Sequence, residues 1–143
     1  MSDSTTVFIL DSYALLAYLG GEAGEGRVKE ILHAAALGES RAFMSLINLG
    51  EVIYITERER GLVKAQEVLA MVEQLPIEVF PVDRQTVLAA AHIKAQYPVA
   101  NVDAFVVAAA QAHDGVVLTG DPEFNAAKDI VRIEWIDERS ESG

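Results

Sequence analysis

Two hydrophobic rhythms alternate along the chain. Short β-rich apolar runs occur at 7–10, 42–44, 77–82, 116–118 and 131–136. The first and fourth are almost continuously apolar, as expected of strands in a parallel sheet covered on both faces. Between these runs the apolar residues recur at helical spacing. Leu15, Leu16 and Leu19 form one short face, and Val28, Ile31, Leu32 and Ala35 form another. The glycines at 20, 21, 24 and 26 mark a turn between those two helices.

Ser45 is placed to cap a helix through Leu46, Leu49, Val52 and Ile53 that stops at Gly61. Leu62, Ala65, Val68, Leu69, Val72 and Leu75 define a longer amphipathic face that ends before Pro76. Asp83 caps a further helix carrying Val87, Ala90, Ala91 and Lys94, ended by Tyr97-Pro98. The last long helix starts near Asn101 and stops at Gly115, which is expected in the left-handed position after the helix. Strands separated by helices indicate βαβ units, and hence an α/β class three-layer α/β/α sandwich with a parallel sheet.

Composition narrows the picture without changing it. A chain of 143 residues, 51% apolar and with mean hydropathy +0.22, is expected to form a single domain over 1–143 with a polar tail from about 137. Eleven basic residues against twenty-two acidic ones leave a net charge of −11. That balance argues against holding nucleic acid by a general cationic surface, though not against a nuclease whose metal ions supply positive charge locally. The absence of cysteine excludes disulfide scaffolds, zinc ribbons and thiol catalysis. Residues 7–10 are too short for a signal-peptide core, and the most apolar stretch, 104–110, is far short of the ~20 residues of a membrane span. A soluble, cytoplasmic protein with no membrane partner is therefore expected.

Four carboxylates fall where such a sheet places its chemistry. Asp11 directly follows the first strand, and Asp121 follows the fourth through Thr119-Gly120. The crevice beyond the strands' carboxyl ends is the general ligand site of open parallel sheets. Asp103 lies in the first turn of the last long helix, and Glu51 interrupts the apolar series Leu46, Ile47, Leu49, Val52 and Ile53. Each has an ordinary reading as well. Asp11 suits a helix cap, Asp103 a first-turn acid, Asp121 a turn residue and Glu51 the solvent edge of its helix. Together they are more informative. Carboxylates converging in one crevice repel each other unless cations neutralise them, and Mg²⁺ or Mn²⁺ is the natural partner for such oxygen donors. A carboxylate cluster on this fold points to metal-dependent phosphodiester chemistry.

The motifs around these acids resemble those of PIN-domain proteins, especially VapC-type toxins of bacterial and archaeal toxin–antitoxin pairs. Asp11-Ser12-Tyr13-Ala14-Leu15-Leu16-Ala17-Tyr18-Leu19 resembles the opening motif, and Asn48-Leu49-Gly50-Glu51-Val52 the second. The run from Asn101 to Ala110, with Asp103 as its acid, resembles the third. Thr119-Gly120-Asp121-Pro122-Glu123-Phe124 is similar to the fourth, with Asp121 as acid and Thr119 as a supporting hydroxyl. The motifs occur in family order over nearly the whole chain. The resemblance implies a five-stranded parallel sheet and a Mg²⁺- or Mn²⁺-dependent endoribonuclease. It implies metal binding and catalysis by Asp11, Glu51, Asp103 and Asp121, with Asp11 and Asp103 on the principal ion and Ser12, Asn48 and Thr119 in support. It further implies an RNA substrate, a cognate antitoxin and a homodimer.

Ala100 stands where many relatives carry a hydroxyl residue, and Asn101 is expected to take over the cap. Glu123 reads either as an outer ligand or, preferably, as a solvated turn residue. Hydrolysis by activated water would leave 5′-phosphate and 3′-hydroxyl ends. Two basic groups, Arg58, Arg60 and Lys64 around Gly61 and Arg27 with Lys29, read as RNA contacts or as solvated charges paired with acids. The apolar residues of the helical pair 46–75 are the expected dimer face, unless they pack only within their own core.

Other chemistries fit poorly. Gly21 and Gly26 have P-loop spacing, but Arg27-Val28 follows in place of Lys-Ser/Thr. No G-x-S-x-G elbow is present, and His33, His92 and His113 are scattered. A haloacid-dehalogenase-like phosphatase or a receiver domain would need a second acid near Asp11, where Tyr13 stands. The rival from another class is a PIN-like module that only binds or dimerises.

Overall fold

The computed structural model describes residues 5–137, so the polar tail beyond Asp137 lies outside the described residues. Five strands alternate with helices: β1 (Thr6–Leu10), α1 (Ser12–Gly20), α2 (Glu25–Ala36), β2 (Ser40–Ser45), α3 (Leu46–Arg60) and α4 (Leu62–Val72). They continue as β3 (Ile77–Phe80), α5 (Arg84–Gln96), α6 (Asn101–His113), β4 (Val116–Thr119), a 3-10 helix (Pro122–Ala127) and β5 (Arg132–Trp135). All pairings are parallel, in the order β3-β2-β1-β4-β5. The expected α/β fold with a five-stranded parallel sheet is therefore present.

Strand alternation sorts the core onto the two faces of this sheet. Phe8, Leu10, Ala42, Met44 and Leu118 face one way, into a core shared with Leu15, Val28, Ile31, Leu49, Val52 and Val68 of α1 to α4. Ile9, Phe43 and Val117 face the other, against Ala90, Ile93, Phe105, Val106 and Ala109 of α5 and α6. The central strands are buried on both faces, which is why their sequences read as unbroken apolar runs.

The chain builds outward from β1 to β2 and β3, then returns to place β4 on the other side of β1. The order reverses between β1 and β4, so a crevice opens beyond the carboxyl ends of those two strands. Leu10 pairs with Leu118, which brings Asp11 and Thr119 side by side at its floor.

The caps follow the sequence in most places. Ser45 accepts a hydrogen bond from the Ile47 N–H at 3.1 Å, and Asp83 accepts one from Thr86 at 2.8 Å. Four expectations are corrected. The third strand ends at Phe80, two residues earlier than expected, where Pro81 removes a ladder donor. The helix expected to run to Leu75 ends at Val72. The left-handed residue after α6 is Asp114 (φ 50°), a residue type that tolerates that conformation, and not Gly115. Gly115 is needed for space, since a Cβ there would lie 3.2 Å from the Val7 carbonyl oxygen. Finally, Ala100 is the cap residue of α6, and no side chain caps that helix, so Asn101 does not assume the role.

Candidate active site

The residues singled out by sequence meet in one small cleft, about 220 Å³ in volume, at the β1/β4 reversal. Asp11, Glu51, Asp103 and Asp121 all line it, together with Ser12, Tyr13, Ala100, Asn101, Val102 and Glu123. Each acid arrives on a different element: Asp11 at the β1–α1 junction, Glu51 on α3, Asp103 on α6 and Asp121 before the 3-10 helix.

Asp11 is 2% exposed and both its carboxylate oxygens are engaged. Oδ1 accepts the Ala14 N–H at 2.8 Å, which caps α1, and Oδ2 accepts a short hydrogen bond from the Thr119 hydroxyl. Capping and site membership are thus the same geometry, because each carboxylate oxygen retains acceptor capacity beyond one hydrogen bond. Thr119 Oγ1 in turn accepts the Asp121 N–H at 2.9 Å, and Asp121 Oδ1 accepts the Glu123 N–H at 2.9 Å. This chain of hydrogen bonds fixes the loop after β4 to the end of β1.

A second polar lock joins α1 to α3. Asn48 Nδ2 donates to Ser12 Oγ at 3.1 Å, and Ser12 Oγ donates to the Asn48 carbonyl at 3.3 Å. Both residues are buried, and each lies within one helical turn of a cleft acid, Asp11 or Glu51.

Electrostatics set this cleft apart. Burial pushes the Asp11 carboxyl up to about 7, against the opposing pull of its Thr119 and Ala14 hydrogen bonds, with Asp103 and Asp121 adding repulsion. Asp103 is likewise raised to about 7, first by burial and then by Asp121, Glu123 and Glu51. Among the described residues, no Lys, Arg or His lines the cleft.

One oxygen from each of Asp103, Asp121 and Glu123 lies within 4.8 Å of the other two. Only oxygen donors are offered, which suits a hard divalent cation such as Mg²⁺ or Mn²⁺ and not a thiolate- or imidazole-seeking one. A cation there would relieve the repulsion that raises Asp103. The residues present therefore fit such an ion. Asp11 and Glu51 line the same cleft but are not part of this group of three.

Glu123 is exposed and belongs to the group of three carboxylates, a place compatible with an outer ligand and with a solvated turn residue. Pro122 opens a 3-10 turn directly after Asp121. Three residues of the two basic groups, Arg27, Arg58 and Lys64, lie beside acids. Arg27 is paired with Glu134 and Glu30, Lys64 lies 3.8 Å from Glu67, and Arg58 lies 4.0 Å from Glu59 and over the Tyr54 ring.

A PIN domain family model matches residues 8–130, and the chain belongs to that family. Among solved structures, it is similar to DNA-bound VapBC from Salmonella typhimurium at 22% identity and TM-score 0.70, covering 92% of this chain and 99% of that one. It is also similar to a toxin–antitoxin complex from Klebsiella pneumoniae (16% identity, TM-score 0.64, 92% and 98% covered). A third similar structure is Mycobacterium tuberculosis VapC20, a sarcin-ricin loop cleaving toxin (20% identity, TM-score 0.64, 85% and 95% covered). No curated protein matches. Among the described residues, no helix is long and apolar enough to cross a membrane.

Proposed function

We propose that the protein is a metal-dependent endoribonuclease, the toxin half of a toxin–antitoxin pair. The observation that carries this reading is the convergence of five carboxylates in one cleft that, among the described residues, no basic side chain lines, three of them with oxygens within 4.8 Å. Family membership and the likeness to toxin–antitoxin complexes support the same reading.

Asp103, Asp121 and Glu123 would hold Mg²⁺ or Mn²⁺, with Asp11 and Glu51 extending the acidic wall. When bound, the ion lowers the pKa of water and stabilises charge on a phosphate under in-line attack. The chain's own residues then do three things. The carboxylates keep an ion beside the scissile phosphate that the chain's net charge of −11 would otherwise repel. Thr119 holds Asp11 and the Asp121 backbone in one fixed relation. Ser12 and Asn48 fix the spacing of α1 and α3, and so of Asp11 and Glu51. Water as nucleophile leaves 5′-phosphate and 3′-hydroxyl ends on RNA.

The partner is a small antitoxin that suppresses this activity. Leu46, Tyr54, Leu62, Val63 and Met71 leave apolar surface on the α3–α4 pair, the face we assign to a homodimer; Leu49, Val52, Ala65 and Val68 of the same pair are already buried within the chain. The test is cleavage of total cellular RNA by antitoxin-free protein with Mg²⁺, with Mn²⁺ and with chelator, beside Asp103→Asn. Metal-dependent fragments absent in the variant support the enzyme. No cleavage under any metal by folded protein replaces it with a non-catalytic PIN-like binding module.

A further inference from the structure

Among the described residues, Tyr13 is the one aromatic side chain lining the acidic cleft, and it is 40% exposed. It sits in the first turn of α1, two residues after Asp11. Its ring packs against the backbone of the loop that carries Asp121. A Cβ on Gly120 would come within 2.9 Å of the Tyr13 ring atoms Cδ1 and Cζ, and closer still to Cε1. Gly120 does not adopt a left-handed backbone conformation. Its lack of a side chain is therefore explained by the ring and not by the turn. The ring thus sits beside Gly120 of the Thr119–Asp121 strap while the side chain stays partly open at the mouth of the cleft.

We propose that Tyr13 is the substrate-positioning platform of this site, stacking on an unpaired nucleobase next to the phosphate to be cleaved. The inference rests on the ribonuclease reading. Among the described residues no Lys or Arg lines the cleft, so the strand needs a contact there other than phosphate neutralisation by those basic side chains. Stacking needs no charge and tolerates any base, because every base offers a π-face. It also requires a base out of its helix, which selects single-stranded or loop RNA over duplex. A ring immobilised by Gly120 loses little freedom on stacking, so more of the contact is realised as affinity.

The experiment measures equilibrium binding of a short single-stranded RNA of mixed sequence to protein carrying Asp11→Asn, which keeps an acceptor for the Ala14 N–H while silencing cleavage. Adding Tyr13→Ala is expected to weaken binding roughly 5- to 150-fold, the range of one lost base–aromatic stack. Tyr13→Phe, which keeps the ring, restores it. An abasic strand with the same number of phosphates abolishes the difference between the proteins with and without Tyr13→Ala. In the otherwise intact enzyme the same substitution raises KM and leaves kcat within about threefold, since it removes binding present before the transition state. Gly120→Ala should weaken binding when Tyr13 is present and do nothing further beside Tyr13→Ala, a non-additivity that a local folding defect would not produce.

Three results overturn the proposal. If the protein cleaves RNA while Tyr13→Ala binds the strand as tightly as Tyr13, the platform is wrong and the nuclease reading stands. If Tyr13→Ala lowers kcat alone, the ring serves the cleft's architecture and not the base. If neither the wild-type nor the Asp11→Asn protein binds or cleaves RNA, the ribonuclease reading falls and this one with it.

Discussion

The same residue types are arranged in opposite ways at the cleft and on the rest of the surface. Away from the cleft, several acids are answered by guanidinium groups. Glu134 receives Arg27 across α2 and β5, Glu78 receives Arg41 across β2 and β3 at 3.0 Å, and Asp114 receives Arg132. In the cleft, acids face acids. Burial and mutual repulsion raise Asp11 and Asp103 to about 7, and among the described residues no basic side chain lines the cleft to offset this. A group of carboxylates raised in this way costs stability, which marks the cleft as a candidate ligand site. The proposed cation would supply the offsetting charge.

The largest test of this contrast is to remove one charge from each region. Asp103→Asn should lower metal-dependent RNA cleavage by at least about 100-fold, the scale of losing a principal electrostatic contact at a reacting centre. Glu78→Gln on the paired surface should change cleavage by less than about twofold. Comparable losses in a gel-based cleavage assay would sink the contrast between the two regions.

The next effect is on stability against pH. Asp11 and Asp103 carry folded-state values near 7 against an ordinary 3.8, so the metal-free folded state binds more protons than the unfolded chain between those values. Their contribution is fully present below about pH 4 and is lost as pH rises through 7. Metal-free protein should therefore lose on the order of 1–3 kcal/mol between pH 5 and 8 relative to Asp11→Asn, and added Mg²⁺ or Mn²⁺ should return part of it at pH 8. Urea unfolding of both proteins in chelator reads this directly. Parallel pH profiles for the two would show that Asp11 is not strained by its surroundings.

Smaller again is the effect of the hydroxyl that links the strands. Thr119→Val keeps the shape but leaves the buried Asp11 oxygen without a donor and the Asp121 N–H without an acceptor. A loss of about 1–3 kcal/mol is expected, with Thr119→Ser recovering most of it. Equal stability of the valine and serine variants in thermal unfolding would show that the hydroxyl is incidental.

What could be read in advance follows from where the signals lie. The strands and helices were legible because β1 and β4 are buried on both faces and the helices carry side-chain caps at Ser45 and Asp83. The meeting of Asp11 with the Thr119–Asp121 loop was legible because a parallel sheet that reverses at β1/β4 leaves only one crevice. The place of Glu123 beside Asp103 and Asp121 depends on the 3-10 turn after Asp121, which no periodicity encodes. The fit between the Tyr13 ring and Gly120 is likewise not legible in the sequence, being a three-dimensional fact between residues 107 positions apart. The left-handed residue at Asp114 was misplaced by one because Gly115, the better residue for that conformation, is held by the crowding of β1.

The smallest expected effect belongs to the paired surface. Arg27 lies over the Phe8 ring and makes two hydrogen bonds to Glu134, one of them at 3.0 Å, with Glu30 at 3.2 Å beside them. The pair is partly open to solvent, so screening limits its worth to about 1 kcal/mol or less, and both Arg27→Ala and Glu134→Ala should fall near that figure. Their double variant should recover some of the sum, because the two side chains act on each other. RNA cleavage should be unchanged in all three, since Arg27 is held against β5 and does not line the cleft. A drop in RNA affinity for Arg27→Ala that Glu134→Ala does not share would mean that the guanidinium leaves its acid for phosphate. The paired surface would then take part in substrate binding, and the division between the two regions would have to be redrawn around Arg27.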